Sequence, residues 1–325
     1  MGHSANRHQS EDQTMSHTRI AALLFGSAGA LVLPLGAQTT PVANAAASKT
    51  WKQHKTPDGQ PDLQGVWVNF ESTPFERALN AGTTAPARVN ADPSLRPFAD
   101  QAPKVPARAS LVVDPPSGRV PLTPWAEQQR DYDLAHIQDS WEYNTPWERC
   151  ITRGIPAAIF PAAYNNGYQI LQTPGQVVIV YEMIHETRII PIDGRPHLPA
   201  SLRQWNGDPR GHWEGNTLVV DTTNFNGKSM IATNAASNRI RSVPQTENAH
   251  ITERFTRADE NTINYEVTID DPKAASAPWK VAMPLVRDDS YKIYEYMCHE
   301  ANQDYMQITL GGGRLHDKNA AAGRQ

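Results

Sequence analysis

The sequence predicts an all-β fold, an antiparallel barrel of about eight strands. From Tyr164 onward, apolar and polar residues alternate in runs of strand length, which is the period at which side chains point to opposite faces of a sheet. Short turn sequences such as TPG, DGRP and EGN separate the runs, and links of this length join antiparallel neighbours. No helical pattern lies between the runs to provide a parallel crossover. A β-sandwich is the alternative architecture.

The first 45 residues are predicted to be a leader and a signal peptide. Met15 begins a short segment with one basic residue, Arg19, and an apolar stretch follows from Ile20 to Leu35. Ala43-Asn44-Ala45 then supplies an A-x-A cleavage site. We therefore expect a periplasmic or secreted protein without stable membrane insertion after cleavage. An uncleaved anchor is the alternative.

Residues 46–162 are predicted to be an extended N-terminal segment that carries the first strand and a helix. The segment is rich in Pro, Ala and Asp, and its strand-like island is LQGVWVNF, at 63–70. The helix is predicted from TPWAEQQRDYDLAHIQDSW. Thr123 can cap this helix, and Pro124 suits its first position.

Residues 163–310 are predicted to form the barrel, and residues 311–325 a flexible tail. The strand-length runs are YQILQT, QVVIVYEMIHETRIIPI, NTLVVDTTNF, AHITERFTR, NTINYEVTID, KVAMPLV and YKIYEYMC. With LQGVWVNF they give about eight strands, the number that closes a small antiparallel barrel.

The two cysteines, Cys150 and Cys298, are predicted to form a disulfide, because an even pair in an exported chain most simply pairs. Closing so long a loop would stabilise the fold by ~4–5 kcal/mol in the chain-entropy picture. A cysteine nucleophile beside His299 is the competing interpretation.

Charge and motifs exclude several classes of function. The formal net charge is -4, with 30 basic and 34 acidic residues, and no basic block stands out, so we expect no nucleic-acid partner. The chain has no G-x-S-x-G elbow, no phosphate-binding loop and no H-E-x-x-H or C-x-x-C spacing. A metal held by His185, His197 and His299 has no spacing to support it, so we predict neither a metal nor an organic cofactor.

Strand parity selects the candidate catalytic residues. Within residues 176–191, Tyr181, Met183 and His185 share a face that is predicted to point into the barrel, whereas Glu186 points to solvent. We predict that His185 is the general acid or base. A hydrogen-bonded core histidine is the alternative.

Glu295 is predicted to partner His185 from the last strand, where it lies on an otherwise apolar face. Tyr181 or Arg188 would stabilise developing negative charge. Four further residues are assigned to substrate binding: Asp221, Glu253, His299 and Trp205. Carboxylates such as Glu253 on apolar strand faces need partners, although an ion pair with Arg254 at the surface is as plausible for Glu253.

The predicted function is that of an exported enzyme acting by acid–base chemistry on a small apolar or aromatic molecule in the barrel cavity. Elimination, hydration, isomerisation or hydrolysis would all fit. The alternative is a non-catalytic periplasmic small-molecule binding protein, whose cavity would be almost wholly apolar.

Several blocks together resemble a known family. They are PDGQPDLQGVWVN, LVVDPPSGRVPLTP, WERCITRGIP, YNNGYQILQTPGQVVIVYEMIHETRIIPIDGRPHLP, RQWNGDPRGHWEGNTLVVDTTNFNGKS, ERFTRADENTINYEVTIDDP and IYEYMCHEAN. The chain resembles exported bacterial proteins that are abundant in acidobacteria and also found in proteobacteria, from about Thr56 to Ile308. The resemblance implies a single module with Cys150 and Cys298 inside recurring blocks, and it carries over no catalytic residue. Gly65-Val66-Trp67 is also similar to the G-x-W on the first strand of lipocalins.

Overall fold

The computed structural model describes residues 51–71, 73–77, 104–137, 139–162, 164–231 and 240–300, with isolated positions beyond. The predicted leader and signal peptide, and most of the predicted tail, lie outside the described residues. The strands are β1 Gly65–Val68, β2 Val112–Asp114, β3 Gly167–Thr173, β4 Gln176–Tyr181, β5 Thr187–Pro191, β6 Asp208–Glu214, β7 Thr217–Thr223, β8 Ser229–Ile231, β9 Val243–Gln245, β10 His250–Asp259, β11 Thr262–Asp270 and β12 Trp279–Arg287. The α-helix, α1, spans Pro124–Ala135, and short 3₁₀ turns cover Trp141–Tyr143, Ala157–Ile159 and Met183–His185.

Nine strands form a nearly closed antiparallel barrel in the order β5-β4-β3-β1-β12-β11-β10-β7-β6. Strand β2 adds to β12, and β8 pairs with β9 in a small sheet of their own. The end strands β5 and β6 approach closely at Gly211, where a side chain would lie 2.7 Å from Cγ2 of Ile192 and 2.9 Å from Cγ2 of Ile190. The predicted antiparallel barrel is therefore confirmed, and glycine lets its two ends meet.

Alternation along the strands fills the barrel with side chains. On β11 the buried residues are Ile263, Tyr265, Val267 and Ile269, and the residues between them are partly exposed. All four belong to one large hydrophobic cluster and are at most 2% exposed. Burying an aliphatic or aromatic side chain of this size contributes about 1.5–3 kcal/mol of transfer free energy. The interior is thus a packed core, as in other small barrels.

The segment before β3 packs against one end of the barrel. Phe160 lies 4.9 Å from Phe75, ring to ring, and Phe75 lies 6.2 Å from Trp279 at the start of β12. The carbonyl of Ile159 accepts hydrogen bonds from Asn69 Nδ2 and the Tyr168 hydroxyl. These contacts close this end with apolar and hydrogen-bonded groups.

Helix α1 begins where the sequence predicts. The Thr123 hydroxyl accepts a hydrogen bond from the backbone N–H of Ala126, at 3.2 Å, and Pro124 occupies the first turn. A cap of this kind stabilises a helix by about 1 kcal/mol. The helix ends at Ala135, earlier than the predicted segment.

Cys150 and Cys298 are bonded, with Cα atoms 5.8 Å apart and a sequence separation of 148. The predicted disulfide is therefore confirmed, and the cysteine-nucleophile interpretation falls away, because a disulfide sulfur is no thiolate. The bond joins the segment at the barrel end to the chain that follows β12.

The run 176–191 is two strands joined by a tight turn, where the sequence predicted one strand. The 3₁₀ turn Met183–His185 contains left-handed backbone, with φ of 62° at Ile184 and 44° at His185. This turn resets the alternation, so Arg188 and Ile190 point inward and Ile189 points to solvent.

The predicted last strand, YKIYEYMC, is wrong, since residues 291–297 are not in a sheet. The Tyr291 hydroxyl donates to Glu182 Oε2 at 2.7 Å, and the Tyr294 N–H donates to Oε1 at 3.1 Å. Asn165 Nδ2 and the Gly167 N–H donate to the same carboxylate, which is fully buried. Two of these four donors to Glu182, from Tyr291 and Tyr294, hold this segment outside the barrel in place of a strand ladder.

Candidate functional site

His185 lies on the outside of the barrel, in the turn between β4 and β5. Its imidazole is exposed, and Nδ1 lies 2.9 Å from the Tyr296 carbonyl. The predicted inward orientation of His185 beside Tyr181 is wrong, because the 3₁₀ turn interrupts the strand period. Glu295 and His299 are also exposed, so the structure places neither inside the barrel with Tyr181.

Tyr181, Arg188 and Glu253 do meet inside the barrel. Arg188 Nη1 lies 2.6 Å from Glu253 Oε2, and Arg188 Nη2 donates to the Thr222 hydroxyl at 2.9 Å. The Tyr265 hydroxyl donates to Glu253 Oε1 at 3.0 Å. Of the two interpretations left open for Glu253, the structure shows the buried one, and Arg254 pairs with Glu214 instead.

Electrostatics make this interior cluster a charge-balanced unit. Burial opposes the charge of Arg188, but the Glu253 carboxylate and Tyr181 outweigh burial and raise the pKa of Arg188. Burial raises the pKa of Tyr181 and of Tyr265, and the Glu253 charge adds to both shifts. Each of these side chains is at most 5% exposed. The cluster is consequently an ionised pair with neutral phenols, held away from solvent.

Glu186 is half-buried rather than at the surface as predicted. Its carboxylate accepts hydrogen bonds from the Thr152 hydroxyl, at 2.6 Å, and from Asn206 Nδ2. Burial raises the pKa of Glu186, and the two hydrogen bonds oppose that shift. Trp205, next to Asn206, is partly buried, with the Arg149 guanidinium carbon 5.8 Å from its ring.

A chain of two imidazoles and two carboxylates lies on the outer face of β6, β7 and β10. His197 Nδ1 lies 3.0 Å from Asp208 Oδ2, and His197 Nε2 lies 2.9 Å from Asp221 Oδ2. The other oxygen of Asp221 contacts His250 Nε2. These four side chains are called the His–Asp site below: His197, Asp208, Asp221 and His250.

Strand register assembles the His–Asp site. Asp221 on β7 pairs with Arg210 on β6 and with Thr252 on β10, so His250 is a diagonal neighbour on the same face, within side-chain reach. His197 comes from the loop before β6, where the Leu198 N–H donates to Asp208 at 2.8 Å. Four chain segments thus place these groups together.

Asp208 is the anchored end of the site. It is 3% exposed and also accepts from Arg210 Nη1 at 2.6 Å. Burial alone would raise the pKa of Asp221, but the hydrogen bonds from His250 and His197 outweigh burial and lower it. Both ring nitrogens of His197 thus lie within hydrogen-bond distance of a carboxylate oxygen. The His197 side chain is 27% exposed.

Sequence reasoning found this site in part. Strand parity assigns Asp221 to substrate binding, whereas His197 enters the sequence analysis only as a metal ligand without supporting spacing, and Asp208 does not enter it. The sequence analysis missed His250. The alternation along β10 places it on the outer face of the barrel, the same face as Asp221 on β7, and this could have identified it. Across the part of the chain that the structure describes, no group of three His, Cys, Asp or Glu residues is arranged to hold a metal ion.

Within those same described residues, no helix has the length and apolar character to cross a membrane.

The comparisons with known proteins leave the family resemblance a prediction. No protein-family model, no curated protein and no solved structure matches the chain.

Proposed function

We propose that the protein is an exported enzyme that acts by acid–base chemistry on a small molecule at the His–Asp site. The observation that carries the proposal is the His197 imidazole held between two carboxylates, one buried and one half-exposed. An imidazole that is oriented by a buried carboxylate on one nitrogen, and held by a partly exposed carboxylate on the other, is placed to exchange a proton with a substrate at the surface. Elimination, hydration, isomerisation and hydrolysis all fall within this chemistry.

The geometry gives each residue a role. Asp208 keeps the proton on Nδ1 of His197 and fixes the ring, because Leu198 and Arg210 hold this carboxylate in turn. Nε2 of His197 is the exchanging nitrogen, which gives its proton to the substrate as an acid or accepts one as a base. Asp221 contacts Nε2 and links His197 to His250, which is 48% exposed and open to substrate.

The substrate class follows from the surface beside the imidazole. Leu198 and Leu202, in the loop that carries His197, are 38% and 53% exposed. An apolar or aromatic molecule with one acidic or polarised group would cover these leucines and present that group to His197. We place the chemistry here rather than in the barrel, since the inward side chains pack closely.

The test uses the Kemp elimination of a nitro-substituted benzisoxazole, an apolar aromatic probe that reports any accessible, positioned base. His197→Gln is compared with His212→Gln, whose imidazole is on β6, exposed, and paired with Glu214. We expect His197→Gln to lower the rate by about 10²–10⁴, the usual contribution of a positioned general base, and His212→Gln to leave it unchanged.

Equal rates for the wild type and His197→Gln would contradict the proposal. Suppose the wild type binds the probe, and neither variant changes the slow background rate of its conversion. That result would favour the alternative function, a non-catalytic periplasmic binding protein. Thermal melts of both variants show whether a lost rate reflects lost folding.

A further inference from the structure

Arg153 is a buried arginine on the segment that packs against the barrel end. It is 2% exposed and follows the disulfide-bonded Cys150 by three positions. Gly154, directly after it, has a φ of 79°, a left-handed conformation that favours glycine and turns the chain sharply. The Arg153 side chain itself lies inside the protein.

The hydrogen bonds of Arg153 are incomplete on one edge. Nη1 donates to the Phe160 carbonyl at 2.7 Å, and the guanidinium carbon lies 5.0 Å from the Trp147 ring. Nε and Nη2 are buried and have no hydrogen-bond partner among the described residues. These two nitrogens form one side of the guanidinium, the fork that binds both oxygens of a carboxylate.

The charge of Arg153 is also uncompensated. Burial lowers its pKa to about 10, and the ionisable groups that act on it within the described chain are the phenols of Tyr168, Tyr164 and Tyr296. The guanidinium is therefore still positive at neutral pH, and no carboxylate of the described residues acts on it. A buried charge of this kind is costly unless it is paired.

Arg188 provides the internal comparison. It is equally enclosed, but Glu253 neutralises it and Thr222 takes a further hydrogen bond. Nitrogens of both arginines lack hydrogen-bond partners among the described residues, but only Arg188 has a carboxylate within 4 Å there. This difference favours a partner for Arg153 from outside the described residues.

We propose that Arg153 binds a small oxyanion, the carboxylate of an organic acid or an inorganic oxyanion, through Nε and Nη2. Two parallel N–H···O bonds would satisfy both nitrogens, and the anion would neutralise the buried charge. Tyr164 and Tyr296, whose phenols act on the Arg153 charge, have stacked rings and hydroxyls 3.4 Å apart. Both are partly exposed, and the proposed anion would enter from this side. This site is separate from the His–Asp site and does not depend on the proposed reaction.

The experiment measures thermal melts and calorimetric titrations of the mature protein with sodium acetate, sodium benzoate and sodium sulfate at constant ionic strength. We expect a saturable rise in melting temperature for at least one of these anions in the wild type. Arg153→Met should abolish the rise. Arg153→Lys, which keeps the charge but lacks the fork, should bind at least tenfold more weakly, and it serves as the test if Arg153→Met does not fold.

Arg203→Met is the matched control, since Arg203 is a partly exposed arginine that donates to the carbonyls of Phe225 and Glu247. It should keep the wild-type response. The proposal is overturned if none of the three anions gives a saturable response in the wild type, or if Arg153→Lys responds as the wild type does. Comparing the melting-temperature response to acetate and benzoate with the response to sulfate distinguishes an organic carboxylate from an inorganic oxyanion.

Discussion

Arg188 on β5 and Glu253 on β10 form an ion pair of 2.6 Å between strands that are not neighbours. Strands β6 and β7 lie between them around the barrel. The pair therefore reaches over the seam where β5 and β6 close the barrel by packing, and Thr222 of β7 is bound on the way. At the seam between β5 and β6, where the backbone hydrogen bonding of the sheet ends, side chains connect its two edges.

Breaking this pair on one side should be strongly destabilising. Glu253→Gln leaves the Arg188 charge buried and unpaired, and we expect a loss of about 3–5 kcal/mol in the free energy of unfolding. The double variant Arg188→Met, Glu253→Leu should recover most of that loss, because it leaves no charge inside. Urea unfolding of the single and double variants measures both. A single variant within about 1 kcal/mol of the wild type would show that water reaches the pair.

Glu186 should make stability depend on pH. Its folded pKa is raised by burial, so the fold holds the proton more tightly than the unfolded chain does. As pH rises from 4.5, the ordinary pKa of a glutamate side chain, through the folded pKa, ionisation costs stability, and below that window it has no effect. Glu186→Gln should therefore become more stable relative to the wild type as pH increases through this window.

Glu214→Gln is the control for that titration. Arg254 and His212 lower the pKa of Glu214, so here the ionised form is favoured by folding. As pH rises, the wild type should therefore become more stable relative to Glu214→Gln, which is the opposite trend to the one expected against Glu186→Gln. Parallel melts of the three proteins from about pH 3 to 8, a range that spans the ordinary carboxyl values, decide the sign. Equal slopes for both variants would contradict the Glu186 assignment.

Asp208→Asn should weaken the orientation of His197. The amide replaces an acceptor that now serves His197, Leu198 and Arg210, and leaving one of these donors unsatisfied costs about 1–3 kcal/mol. We also expect the Kemp rate to fall in the same variant, because the imidazole loses its fixed tautomer. Nitrogen chemical shifts of His197 report the tautomer directly. An unchanged tautomer with an unchanged rate would remove Asp208 from the site.

Gly211→Ala should strain the seam of the barrel. The added methyl group would meet Ile192 and Ile190 at 2.7 and 2.9 Å, and overpacking of this kind costs about 1–3 kcal/mol. Ile190→Ala in the same chain frees the space, so the double variant should be more stable than the sum of the two single changes predicts. Additive losses would mean that β5 and β6 do not press together at this point.

The barrel could be predicted because its strands share one period and short turns. NTINYEVTID and AHITERFTR gave β11 and β10 with their inward faces, and thus the buried position of Glu253. Strand β6 is absent from the predicted strand-length runs, since Pro209 and Gly211 are poor strand residues. Both are tolerated there because β6 ends the ladder and needs a glycine to approach β5.

The candidate site was harder to predict, for two physical reasons. The left-handed turn at Ile184 is set by tertiary contacts that no periodicity reveals, and it moved His185 to the surface and Arg188 to the interior. The His–Asp site depends on which strands are neighbours, β7 and β10, and those are not adjacent in sequence. The alternation of residues assigns side chains to the two faces of one strand, but it does not identify the neighbouring strands.

The disulfide also divides the barrel unequally. Eight of its nine strands, from β3 to β12, lie within the covalent loop between Cys150 and Cys298, and β1 lies outside it while pairing with both β3 and β12. A protease that cuts a turn inside the loop leaves two fragments still joined. A cut between β1 and Cys150 separates β1 from the rest of the chain and opens the wall between β3 and β12. Cleavage between β1 and Cys150 is therefore the cut that would disconnect a barrel strand covalently from the other eight.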